Sequence, residues 1–190
     1  MFVLERSCMT QTVTATFKQR LTALDVPVRS GGATECAELV DAAAGEPAVG
    51  ISPEDPALEL PDRIHTDPTA ADLRAAHTGV TAASLGVADY GSVAIESDSA
   101  GTEPVSLFVD RHVVLIRESD IVPGMADAFE WLGPRTREAD VDVVFATGPS
   151  ATADMGGLVK GAHGPKEVVV VLITDAGRAD VDAGIEEEDG

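Results

Sequence analysis

Apolar residues recur along this chain with two different periods, and the alternation between them lays out the order of elements. From Thr12 to Leu24, the apolar positions Val13, Phe17, Leu21 and Leu24 fall three or four residues apart, as on one face of a helix. Val26 to Arg29 reads as a short strand, Gly31-Gly32 as a break, and Ala33 to Ala44 as a second helix with Cys36, Leu39 and Val40 inward. Ala48 to Ser52 is strand-like, and Pro53, Pro56 and Pro61 then enforce a loop. Arg63 to Thr66 is a candidate third strand. Asp67-Pro68 follows as a helix opening, with Asp67 as the cap and Pro68 in the first turn.

The second half is richer in strands. Val80 to Val87 leads into "ADYGSVAIES", where Gly91 turns the chain and Ser92 to Glu96 forms a strand. Pro104 to Phe108 suggests a helical turn, His112 to Ile116 a buried strand, and Gly124 to Leu132 a helix carrying Phe129 and Trp131 as core residues. Asp142 to Thr147 and Glu167 to Thr174 are the last two strands. Strands alternating with helices predict an α/β fold of three layers, a largely parallel sheet flanked by helices. No internal repeat is visible.

Composition supports that packing. The chain is 44% hydrophobic but only 4% aromatic, which suits Val-rich strands against Ala-rich helices. Against 33 acids stand 13 bases, a formal net charge of −20, and only Lys18, Lys160 and Lys166 are lysines. Nucleic acid and anionic membrane both begin their contacts with basic residues, so neither is an expected partner. The acid excess runs along the whole length. At molar salt the Debye length falls to about 3 Å and dispersed like charges stop opposing compaction, which points to a halophile's cytoplasmic protein.

The two cysteines, Cys8 and Cys36, fall short of the roughly four thiolates of an iron–sulfur cluster. The longest apolar run, Val168 to Ile173, is far below the ~20 residues of a membrane span. The first residues lack the apolar segment of a signal peptide. Residues 1–11 are expected to be an N-terminal extension, with Met9 the more natural start. Residues 12–175 form the domain, and the acidic stretch 176–190 reads as a disordered tail.

Two loops could carry chemistry. "TGPSATADMGGLVKGAHGP", from Thr147 to Pro165, follows a strand, and ligands in open α/β sheets usually sit beyond the strands' carboxyl ends. Ser150 is a candidate cap of a short helix whose free N–H groups would bind an anion, with Lys160 and His163 adding charge and a titrating group. The plainer alternative is that Ser150 and Asp154 cap turns and the glycines serve tight geometry. On spacing alone the two stand level. Neither a phosphate loop nor a nucleophile elbow is present. Ser150, Asp154 and His163 follow the order of a hydrolase triad, yet all lie within one loop, where a triad is not expected. No histidine–acid spacing suggests a metal site. "ADYGS" is a second loop, in which Asp89 either contacts a hydroxyl or closes a turn. His112, opening an apolar strand, reads as a satisfied core or edge histidine, and His65 and His77 carry no signal.

The segments "GVTAASLGVADYGSVAIES", "RHVVLIRESDIVPGMADAFEWL" and "ATGPSATADMGGLVKGAHGPKEVVVVLI" occur in the order typical of the LUD (lactate utilisation) domain family. The chain resembles the family's small stand-alone members, the lactate-utilisation protein C group, over about residues 12–175. That resemblance implies a fold akin to the NagB/RpiA/CoA-transferase-like group. It also implies a part in oxidising L-lactate to pyruvate beside iron–sulfur oxidoreductase subunits. The clusters belong to those partners, and no cofactor is expected in this chain. Carried over by motif, the ligand-binding positions are Asp89, Gly91 and Ser92, then Thr147, Gly148, Pro149, Ser150, Thr152 and Asp154, then Gly161, His163, Gly164 and Pro165. His163, Asp154 and Asp89 are the catalytic candidates, and the expected ligand is a small anion. The family's first loop commonly reads Glu-Thr-Gly-Thr where this chain has Asp89-Tyr90-Gly91-Ser92. An Arg commonly follows the Ser of the second loop, where this chain has Ala151. Two other classes stay open: an independent enzyme acting on a sugar phosphate or acyl-CoA, and a partner-binding module without chemistry of its own.

Overall fold

The computed structural model describes residues 2–138, 141–154, 157–161 and 163–175. Its elements are α1 (Phe2–Ala23), β1 (Val28–Gly31), α2 (Cys36–Ala43), β2 (Ala48–Gly50), α3 (Ala70–Ala75), β3 (Thr78–Ala82), β4 (Leu85–Val87), β5 (Ser92–Glu96), α4 (Thr102–Leu107), β6 (Arg111–Arg117), β7 (Ile121–Val122), α5 (Met125–Glu138), β8 (Val143–Thr147), β9 (Ala151–Asp154), β10 (Gly157–Lys160) and β11 (Glu167–Ile173).

Five strands make a parallel sheet in the order β1-β11-β6-β3-β2. Its centre is β6 beside β11, which run in register from Arg111↔Glu167 to Arg117↔Ile173. Both strands are buried on both faces, so their sequences are nearly continuous runs of Val, Leu and Ile. On one face Val113, Leu115, Val169, Val171 and Ile173 pack against Cys36, Val40 and Ala43 of α2. On the other, Val114, Ile116, Val170 and Leu172 meet Phe17 and Leu21 of α1 and Val93 and Ile95 of β5. At roughly 1.5–3 kcal/mol for each fully buried large aliphatic side chain, these two faces supply most of the drive to fold. Gly79 of β3 lets α4 lie close, since a Cβ there would stand 2.3 Å from the Val105 carbonyl oxygen.

The predicted α/β sandwich is therefore present, with a second sheet that the sequence pattern did not reveal. This sheet has four strands in the order β7-β4-β5-β8, and β5 is antiparallel to both of its neighbours. One face of β5 looks at the parallel sheet through Val93 and Ile95. Ala94, on the other face, joins Leu85, Val87 and Ala128 of α5. The layers thus run α2, parallel sheet, α1 with the second sheet, and α5.

Several local expectations change. The first helix begins at Phe2 and not at Thr12. Arg63 to Thr66 contributes a single bridge, Val49↔His65, and no strand. The helix expected at Asp67-Pro68 starts at Ala70. Thr69 is its cap, because the Thr69 hydroxyl accepts from the Asp72 N–H while Asp72 accepts from the Thr69 N–H. Phe129, read as core, is 60% exposed, since α5 turns Ala128 inward. Trp131 is half-buried, with the Arg135 guanidinium 4.2 Å over its ring. No described helix is long and apolar enough to cross a membrane. The acidic stretch 176–190 lies outside the described residues.

Candidate functional site

The pairing of β5 with β8 brings the two loops together. Ser92 sits opposite Thr147, and their hydroxyls hydrogen-bond at 2.6 Å. The residues just outside this pair, Gly91 and Gly148, both adopt a left-handed backbone, with φ of +64° and +62°. A side chain at Gly91 would also press on α1, 3.0 Å from the Arg20 Cβ. The glycines thus have a structural use, fitting both turns under the end of α1.

Beyond them opens a cleft of about 560 Å³ between the two sheets. Its inner wall is apolar, made by Leu21, Val93, Ile95, Val114, Val144 and Val170. Its rim carries Ser106, His112, Thr147, Ser150 and His163. The rim lies at the amino ends of β6 and β11, where Pro165 accepts from the Ser150 N–H at 2.9 Å and Ser150 accepts from the Gly161 N–H at 2.9 Å.

These bonds correct two expectations. Ser150 does not cap a helix: its backbone is already held in a ladder, and a hairpin of β9 and β10 follows. Nor does the loop sit at the carboxyl edge of the parallel sheet. β8 belongs to the second sheet and runs opposite to β5, so its carboxyl end reaches the other, amino edge.

Of the expected site residues, Gly91, Thr147, Gly148, Pro149, Ser150, His163, Gly164 and Pro165 line this one cleft. Ser92 is not in its lining and is linked to it only by the hydrogen bond to Thr147. Gly161 stands behind Ser150, at the neck of the hairpin. Asp89 does not join them. It is exposed and faces the turn before α5, its N–H donating to the Pro123 carbonyl. The side chains of Thr152, Asp154 and Lys160 lie outside the described part of the structure. His112, set aside in the sequence as a core residue, proves to line the cleft as well.

A family model described as the LUD domain matches residues 31–173. The chain belongs to the LUD domain family. It is similar to lactate utilization protein C of Geobacillus sp. (strain WCH70), 30% identical over 104 residues, which are 53% of this chain and 43% of that protein. With lactate utilization protein C of Shouchella clausii, 27% identity extends over 157 residues, 81% of this chain and 69% of that protein. The first of these alignments thus spans less than half the relative's length. A solved structure of a DUF162 family protein from Deinococcus radiodurans has the same fold, with a TM-score of 0.69 at 19% identity, covering 86% of this chain and 98% of that one.

Within this LUD domain the rim chemistry is mostly neutral. His112 is 3% exposed, and its Nε2 lies 2.8 Å from the Thr81 hydroxyl. Burial pushes its imidazole down to about 4, so at neutral pH it is an uncharged donor or acceptor. No hydrogen bond to its Nδ1 is made by the described residues. Among the described residues, no Asp, Glu, Lys or Arg lines the cleft.

The carboxyl edge of the parallel sheet holds a second hollow, of about 320 Å³, lined by Ser52, Ser84, Ser97, Asp98, Arg117 and Asp120 among others. There Arg117 is 15% exposed and held from two sides. Its Nε donates to Asp55 at 2.7 Å, and Asp175 stands 3.7 Å from Nη1. Burial holds the Asp120 carboxyl above the usual carboxylate range. Among the described residues, no group of three His, Cys, Asp or Glu side chains could hold a metal ion.

Proposed function

We propose that this LUD domain serves lactate utilisation as a component working beside iron–sulfur oxidoreductase subunits, with the cleft at the two loops holding a small organic anion. One observation carries the ligand site: Gly91 of "ADYGS" and Thr147, Gly148, Pro149 and Ser150 of "TGPS", more than fifty residues apart, line a single cleft. The names of the similar proteins support the process. Oxidising L-lactate to pyruvate removes two electrons and two protons. This chain's two cysteines cannot themselves ligate a four-thiolate cluster, so the electrons pass to clusters in partner proteins. The imidazoles of His112 and His163 and the hydroxyl of Ser150 are the groups placed to hydrogen-bond a hydroxyl, carbonyl or carboxylate oxygen.

Lactate-dependent dye reduction by the iron–sulfur partner proteins, with and without this chain, tests the role. Reduction should depend on the chain and fall at least tenfold with the Ser150→Ala/His163→Ala double variant. Equal reduction without the chain sinks the assignment. A salt-rich cytoplasm belongs to the same proposal and is supported by the net charge of −20; melting temperature should then rise with KCl, and a flat response removes that part.

A further inference from the structure

His112 lines the cleft with one ring nitrogen occupied and the other without a described partner. In the register of β3 and β6, Thr81 lies beside Val114, so it shares a sheet face with Val114 and with His112 two residues away. That diagonal brings the Thr81 hydroxyl to 2.8 Å from the His112 Nε2. Thr81 is fully buried, and Nε2 is the one hydrogen-bond partner of its hydroxyl among the described residues.

A hydroxyl and a neutral imidazole nitrogen can share a hydrogen in either direction, and here burial decides which. With the hydrogen on Nε2, the Thr81 O–H would be left in the core with no acceptor. With Thr81 donating to Nε2, the hydroxyl is satisfied and the ring's own hydrogen sits on Nδ1. Burial also keeps the ring uncharged at neutral pH, so only one nitrogen carries a hydrogen. Among the described residues, the sealed side-chain atoms without a partner are the Thr14 hydroxyl and the Asp175 Oδ1. The His112 Nδ1 has no partner and is not one of them, so it is reached from the cleft.

We propose that Thr81 is a positioning residue for the cleft: it fixes His112 as the Nδ1–H tautomer, and this ring then holds an acceptor oxygen of the ligand, a carboxylate or 2-oxo oxygen. The tautomer follows from the core alone, whereas the oxygen rests on the cleft being the ligand site proposed above. A ring bonded in this way has no free lone pair. It does not take the hydroxyl proton of a 2-hydroxy acid, and it stabilises the oxygen on which negative charge gathers.

The test is long-range proton–nitrogen NMR of the chain labelled at its histidine nitrogens, at neutral pH and fixed KCl. Spectra are taken without ligand and then with pyruvate or acetate, and the loss of signals in His112→Gln assigns that ring among the four histidines. The free wild-type chain should carry the hydrogen on the His112 Nδ1, a result that needs no variant at position 81. Pyruvate should move the Nδ1 resonance. If acetate moves it as well, the carboxylate is the oxygen held; if pyruvate alone does, the 2-oxo oxygen is. Thr81→Val should let the hydrogen spread to Nε2 and weaken pyruvate about threefold or more, in proportion to the Nδ1–H fraction lost. Thr81→Ser should keep the tautomer and hold the affinity within about twofold. Hydrogen on Nε2 in the wild type, or a tautomer unmoved by Thr81→Val, overturns the proposal. So does pyruvate that shifts the Gly148 and Ser150 amides and leaves the His112 Nδ1 in place. An intact Nδ1–H tautomer with no response to either anion would instead overturn the ligand site and the oxygen held there, and the hold of Thr81 on the ring would stand.

Discussion

The two hollows at opposite edges of the parallel sheet differ in what their polar groups are occupied with. At the carboxyl edge, where α/β sheets commonly bind ligands, the polar groups hold one another: Arg117 by Asp55 and Asp175, Ser97 by Glu103, and Thr102 by Asp98. At the amino edge His112 and His163 line a cleft whose inner wall is apolar, and no described residue hydrogen-bonds the His112 Nδ1. Position relative to the strands is thus a poorer guide here than the state of the polar groups. A largely paired network, in which only the buried Asp175 Oδ1 lacks a hydrogen bond among the residues named here, stabilises the fold, whereas polar groups lining an apolar cleft are available to a ligand.

The largest expected effect separates the edges by stability. Arg117→Ala leaves Asp55 and Asp175 facing each other without their cation, so we expect a loss of about 3 kcal/mol in urea unfolding, discounted for partial exposure. Binding of lactate in the cleft should stay within twofold. Undiminished stability with lost binding would reverse the assignment of the two edges.

Acid should next act through the amino edge. His112 takes a proton at about 4 when folded and near 6.5 when unfolded, so the unfolded chain binds more protons between those values. Stability is full above the unfolded value and falls as pH drops toward 4, by roughly 2–3 kcal/mol on this account alone. Comparing wild type with His112→Gln isolates the effect from the chain's many carboxylates. A variant with the same pH profile as wild type would mean that His112 is hydrated in the folded state.

How much of this was legible in sequence follows from how local each signal is. β6 and β11 showed plainly because burial on both faces makes an unbroken apolar run. The second sheet did not, since β4 has three residues and β7 two, too short for a period, and their pairing is decided by tertiary contact. That omission moved the site. With β8 counted in the parallel sheet, its loop was placed at the carboxyl edge. The loops themselves were readable from composition and family order, but their meeting depends on the Ser92↔Thr147 register. His112 was missed because a histidine opening an apolar strand looks like core. A usable signal was its two-residue spacing from Val114, which puts it on the face that looks toward the second sheet.

The link between the loops can be measured directly. Ser92→Ala and Thr147→Val each remove one side of a half-buried hydrogen bond, and each should cost about 1 kcal/mol. The double variant should cost less than the sum, because the second change removes no further bond. Additive losses would show that the two hydroxyls act separately, and the two loops would then be neighbours without a shared neck.

The smallest effect belongs to Asp89, and it sharpens where the site ends. Its carboxylate is exposed, outside the cleft lining, and 3.2 Å from the point where a Cβ on Gly124 would stand. Such a group supports the turn before α5 and does not reach a ligand among the valines. Asp89→Asn should therefore change stability by less than about 0.5 kcal/mol and ligand affinity by less than twofold. A tenfold loss of lactate binding in that variant would extend the site around Gly91 to the second sheet's outer end. The rim would then include both arms of the "ADYGS" turn, and the catalytic role first considered for Asp89 would return.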